Sequence, residues 1–141
     1  MTFPYKFALS ATVALGMLYA QNPPTVRTVP PNQTNPVSGK EMFMEYCAVC
    51  HGKDARGAGP AAAALKKTPA NLTELAARNG GKFPDTRVSL YIQGSEEVSA
   101  HGSRDMPVWG TVFGSMQNNA AVTTMRIANL TDFIKSIQVK K

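Results

Sequence analysis

From residue 39 onward, apolar positions recur at steps of three and four, and nowhere do they alternate at a period of two over a strand's length. Across Gly39 to Cys50 the positions Met42, Phe43, Tyr46 and Cys50 line one face of a predicted helix. Asn71 to Asn79 starts on a capping Asn and runs into Gly80-Gly81, the residue type that ends helices. Pro84-Asp85 opens a third helix through Val88, Leu90, Tyr91 and Ile92, which Gly94 closes. Ile127, Leu130, Ile134 and Ile137, with Phe133 beside them, make the stripe of a long amphipathic last helix. The predicted fold is all-α, with about four to five helices. Between the third and last helices lies a connection from Ser95 to about Asn119, read as a loop. A structureless connection of that length in a small domain is expected where it binds something, and this one holds His101, Met106-Pro107, Trp109 and three glycines.

The N-terminus has a different pattern. Lys6 precedes an apolar run from Phe7 to Ala20, and Gln21-Asn22-Pro23-Pro24 follows. This is the make-up of a secretory signal peptide over residues 1–20, and the run is shorter than the roughly 20 apolar residues a membrane span needs. Residues 21–37 hold Pro23, Pro24, Pro30, Pro31 and Pro36 without apolar periodicity, which predicts an extended or disordered lead. The domain is expected over 38–141, exported to the periplasm and monomeric.

Composition narrows the class. The chain has 141 residues, suited to one domain, and 43% of them are hydrophobic, an ordinary globular share. Fifteen basic residues face nine acidic ones, but no basic run exceeds a Lys pair such as Lys66-Lys67. Nucleic-acid binders concentrate basic residues on one face, so no nucleic-acid partner is expected. A partner with an acidic docking surface suits this charge better. Lys40, Lys53, Arg56, Lys66, Lys67, Lys82 and Arg104 flank the segments expected around the site.

Cys47-Ala48-Val49-Cys50-His51 is C-x-x-C-H, the haem c attachment signature. On a helix, positions i and i+3 share a face, so both thiols can reach one side of a porphyrin while His51 offers its imidazole to the iron. Other uses of the residues are a thioredoxin-like dithiol, a zinc site completed by His101, and a disulfide. The first lacks its strand context, the second draws on every Cys and His in the chain, and the third has poor geometry on one helical turn. For a sixth ligand, Met106, Met116, Met125 and His101 remain, since Met1 and Met17 lie in the leader and Met42 and Met44 share the motif's helix. Trp109 is expected either to donate its indole N–H to a haem propionate or to pack at the rim.

Gly39, Phe43 and Cys47, spaced G-x-x-x-F-x-x-x-C, together with the motif and with Leu130 and Phe133, resemble the class I cytochrome c family over about residues 38–138. The resemblance implies a helical bundle wrapped around one covalent haem c, attached through Cys47 and Cys50 with His51 as an iron ligand. It implies close approach of the first and last helices at Gly39. Met106-Pro107-Val108-Trp109-Gly110 resembles the family's M-P-x-[WF]-G ligand loop, which makes Met106 the second iron ligand. The run His51-Gly52, Gly57, Gly59, Pro60 resembles the loop beneath the haem, and the carbonyl that accepts from the proximal imidazole is assigned to Pro60; the alternative for Pro60 is a helix-starting residue before Ala61 to Leu65. The implied function is a one-electron carrier, not an enzyme, working between respiratory or dehydrogenase partners. The alternative is a haem enzyme or gas sensor whose iron has an open face.

Overall fold

A computed structural model describes residues 30–95 and 106–140; the leader and His101 lie outside them. Among the described residues every regular element is helical. Ser38 caps the first helix by accepting from the Glu41 amide at 3.2 Å. Three pieces then run on without a break: α1 (Gly39–Met42), a π-helical stretch (Phe43–Cys47) and α2 (Ala48–His51). Short 3-10 turns at Ala62–Ala64 and Leu72–Glu74 precede α3 (Leu75–Arg78), and α4 (Asp85–Gln93), α5 (Trp109–Gln117) and α6 (Ala120–Ser136) complete the chain.

The core sits where the first helical run crosses α6. Gly39 makes the crossing possible: a Cβ there would run into the Asn129 carbonyl and lie 2.8 Å from the Phe133 Cβ. Beside it Phe43 meets Phe133, ring centroids 5.3 Å apart. Met42, Phe43 and Leu130 are fully buried, with Val88 and Ile92 of α4, Phe113 of α5, and Ile127 and Ile134 closing the cluster. Gln138 ties the C-terminal end to the start of α3, donating to the Leu72 carbonyl and accepting from the Ala76 amide.

Two expectations are revised. The connection predicted as a loop contains α5, whose Trp109, Phe113 and Met116 form the stripe that Gly110, Gly114 and Thr111 obscure in the sequence. Gly110 has a packing reason, since a Cβ there would lie 2.5 Å from the Gln93 carbonyl. The last part of the Pro-rich lead is also ordered against the domain. Thr34 is buried, the Asn32 carbonyl accepts from the Tyr46 hydroxyl at 2.6 Å, and Asn129 donates to the Pro36 carbonyl at 3.0 Å. Side chains of the domain supply the hydrogen bonds that this proline-rich backbone cannot make with itself.

Candidate haem site

The C-x-x-C-H motif straddles the change from π to α geometry: Cys47 ends the π-helical stretch, and Cys50 and His51 lie in α2. A π-turn inserts an extra residue into the helical ladder, a device common at functional sites, and here it leaves Cys47 buried and Cys50 half-buried. Neither is in a disulfide. Burial, reinforced by the neighbouring Cys50, pushes the Cys47 thiol up to about 12.

Gly52, at φ 80°, ends α2 and turns the chain back beneath it. The returning loop satisfies the carbonyls that a helix end leaves open: the Gly57 amide donates to the His51 carbonyl at 2.7 Å, Gly59 to Cys50 at 3.0 Å and Ala61 to Val49 at 2.9 Å. Gly59 is pressed so closely on the motif that a Cβ would lie 2.6 Å from the Cys50 carbonyl carbon. The ligand helix is thus clamped from below by backbone, independent of most loop side chains.

The carbonyl that meets His51 belongs to Ala70, 3.0 Å from Nδ1, and not to Pro60. Pro60 is exposed and occupies the second position of a turn closed by the Ala62 amide on the Gly59 carbonyl at 2.9 Å, where its fixed φ is useful. The chain then returns past Pro69, one residue before the acceptor. Because a carbonyl only accepts, Nδ1 must carry the hydrogen, and Nε2 keeps its lone pair for a metal. Burial holds the imidazole below its usual range against the opposing pull of the Ala70 bond, which favours the neutral ligating form.

Met106 is half-buried at a bend just ahead of α5, which starts after Val108. Trp109, half-buried, brings this segment to the motif helix: its ring lies 5.5 Å from that of Tyr46, the residue before Cys47, and 5.7 Å from Phe113. Of the other candidates, Met116 has its sulfur 4.0 Å from the Tyr46 hydroxyl, and Met125 is half-buried in α6. Ala70, Thr34 and Arg126 are missed by sequence reasoning, and Tyr46 is read only as a position on the apolar face of the first helix. Of the three, only Arg126 left a signal, standing four residues before Leu130 on the buried stripe.

This donor set fits a haem c: two thiols one helical turn apart and a histidine with its metal-binding nitrogen free. Cys47, Cys50 and His51 are the residues that would hold it. Among the described residues no group of three or more His, Cys, Asp or Glu could hold a bare metal ion. No helix among them is long and apolar enough to cross a membrane. The family described as cytochrome C oxidase, cbb3-type, subunit III matches residues 34–124, a span that starts at the ordered lead and includes the motif and the Met106–Trp109 segment. No curated protein and no solved structure gives a significant match. With more than half of its length matched, and with an all-helical fold built around C-x-x-C-H, the chain belongs to this cbb3-type cytochrome c family, as a class I monohaem cytochrome c domain.

Proposed function

We propose that the protein is an exported, periplasmic one-electron carrier whose haem c is attached through Cys47 and Cys50 and ligated by His51 and Met106. The observation that carries this reading is the His51–Ala70 hydrogen bond, which orients an imidazole for metal binding next to the two cysteines of the motif. The haem, when bound, supplies a one-electron iron couple. The chain's part would be to hold that couple still: Cys47 and Cys50 on the clamped helix would anchor the group, and Pro107 restricts Met106, which would ligate it, to extended backbone. Held by His51 and Met106 in either oxidation state, the group would need little rearrangement as an electron enters or leaves. Thioether ligation also raises the reduction potential relative to two imidazoles.

Lys53, Arg56, Lys66 and Lys67 are all exposed on the segment that returns beneath the motif. They would steer encounter with a redox partner whose docking surface is acidic, through a small and transient interface. The Lys6-led apolar leader supports export.

Optical spectra of the purified protein in both oxidation states test the reading. A far-red sulfur-to-iron band in the ferric form, no response of the ferrous form to carbon monoxide, and haem that survives denaturing electrophoresis are expected. Carbon monoxide binding would favour the open-site enzyme or sensor instead. Met106→Ala should keep covalent haem, lower the potential and admit exogenous ligands; an unchanged potential would move the sixth ligand to Met116, Met125 or His101.

A further inference from the structure

Arg126 is fully buried in α6, yet no carboxylate meets it among the described residues. Its Nη1 donates to the Thr34 hydroxyl and its Nη2 to the Thr34 carbonyl, each at 2.9 Å. The guanidinium lies over the Phe113 ring, 5.8 Å from the centroid, and its Nε, also buried, meets no hydrogen-bond partner among the described residues. Arginine keeps its charge in proteins, and buried charges are normally paired because desolvation is costly. Among the described residues this cation is held by neutral groups, which leave its field in place.

That field reaches the motif helix through Thr34. The Thr34 hydroxyl stands between Arg126 and the Tyr46 hydroxyl, 2.8 Å from the latter. Tyr46 commits its own proton to the Asn32 carbonyl, so Thr34 donates to Tyr46 while accepting from Arg126. Tyr46 adjoins Cys47, and its ring packs on Phe113, centroids 5.5 Å apart. One neutral residue therefore links the guanidinium to the helical turn that carries the first thioether cysteine.

We infer that Arg126 is a positioning residue for electron transfer: its buried charge, met by no carboxylate among the described residues, raises the haem's reduction potential. Ferric iron carries one more positive charge than ferrous iron, so a fixed cation in a weakly screened interior disfavours the oxidised form. The inference rests on the haem carrier reading above.

The experiment is direct voltammetry of the haem-loaded full chain, in the wild type and three variants, with covalent haem and the far-red sulfur-to-iron band checked in each. Arg126→Gln removes the charge. Thr34→Asp leaves the arginine but gives it a counter-charge. Thr34→Val breaks the same hydroxyl contacts and leaves the charge uncompensated. Arg126→Gln and Thr34→Asp should each shift the reduction equilibrium about tenfold toward the ferric form, about 59 mV for a one-electron couple, and Thr34→Val should leave the midpoint in place. A wild-type midpoint in Arg126→Gln with haem and band intact would overturn the inference. Should Arg126→Gln fail to fold, an unshifted Thr34→Asp would overturn it equally. A fall in Thr34→Val as large as in Thr34→Asp would also overturn it, since loosened anchoring and not charge would then be at work. Absence of covalent haem from the wild type would overturn the carrier reading, and this inference with it.

Discussion

At Gly39 two effects of one methyl group oppose each other. Alanine is the better helix former by up to about 1 kcal/mol, but its Cβ would meet the Asn129 carbonyl and the Phe133 Cβ, and the first of these is helix backbone that cannot swing aside. Overpacking of this kind costs about 1–3 kcal/mol, so the steric term wins. Gly39→Ala should lose roughly 1–2 kcal/mol in guanidinium unfolding of the haem-loaded protein, and a gain in stability would mean that α1 and α6 do not cross at this point. The two cysteines form a second contrast at the same scale. Cys47 is buried with its thiol pushed up to about 12, while Cys50 is only partly covered. In haem-free chain at neutral pH, a thiolate-seeking alkylating reagent should label Cys50 first, read by fragment-ion mass spectrometry of the tryptic peptide 41–53 that carries both cysteines; equal labelling of the two would show that the π-turn does not bury Cys47. The spacing of C-x-x-C-H made the candidate attachment residues legible in the sequence, whereas the acceptor for His51 was not: Ala70 stands 19 positions away, and only the path of the loop selects it over Pro60.

Helices whose stripe is made of large apolar residues can be read from the chain, and that is why α4 and α6 lie where the periodicity predicts them. In α5 the residues between Trp109, Phe113 and Met116 are glycine, threonine, valine and serine, so weak propensity hid a sound stripe, and packing against Tyr46 and Gln93 decides the conformation instead. Between α4 and α6 a polar tie is equally invisible in the sequence: Lys135 donates to Asp85 at 2.6 Å, both exposed at the side chain. The hydrogen bond from Lys135 holds the Asp85 carboxyl below its ordinary range, and the same bond to Asp85 raises Lys135. A depressed carboxyl stabilises the fold above its unfolded pKa, and that contribution is lost as pH falls through the folded value. The raised ammonium contributes below its unfolded pKa, until pH climbs through its folded value. Asp85→Asn should therefore be slightly less stable than wild type near neutral pH, and the gap should close below the usual carboxylate range and shrink at high salt, as an exposed pair requires. Thermal unfolding from pH 3 to 8 checks this; a gap that is constant with pH would assign the difference to helix capping rather than charge.

Taken whole, the domain is closed by a segment that composition alone assigns elsewhere. Prolines made residues 21–37 read as a lead, yet Asn32, Thr34 and Pro36 bind side chains from both helices that form the central crossing. The boundary of the folding unit therefore falls before Asn32, consistent with the family match that opens at residue 34. The energetic reason lies with Arg126. Without Thr34 its guanidinium loses both of its hydrogen bonds while Phe113 still covers one face, and hydrogen bonds to a charged group contribute about 1.5–3 kcal/mol each. Water entering the vacated groove would recover part of that loss, so a chain started at Ser38 should be about 2–4 kcal/mol less stable than one started at Pro31. Denaturant midpoints of the two haem-loaded chains measure this. Equal stability for the Ser38 and Pro31 chains would show that the ordered lead rests on the domain without supporting it, and that Arg126 is satisfied from elsewhere.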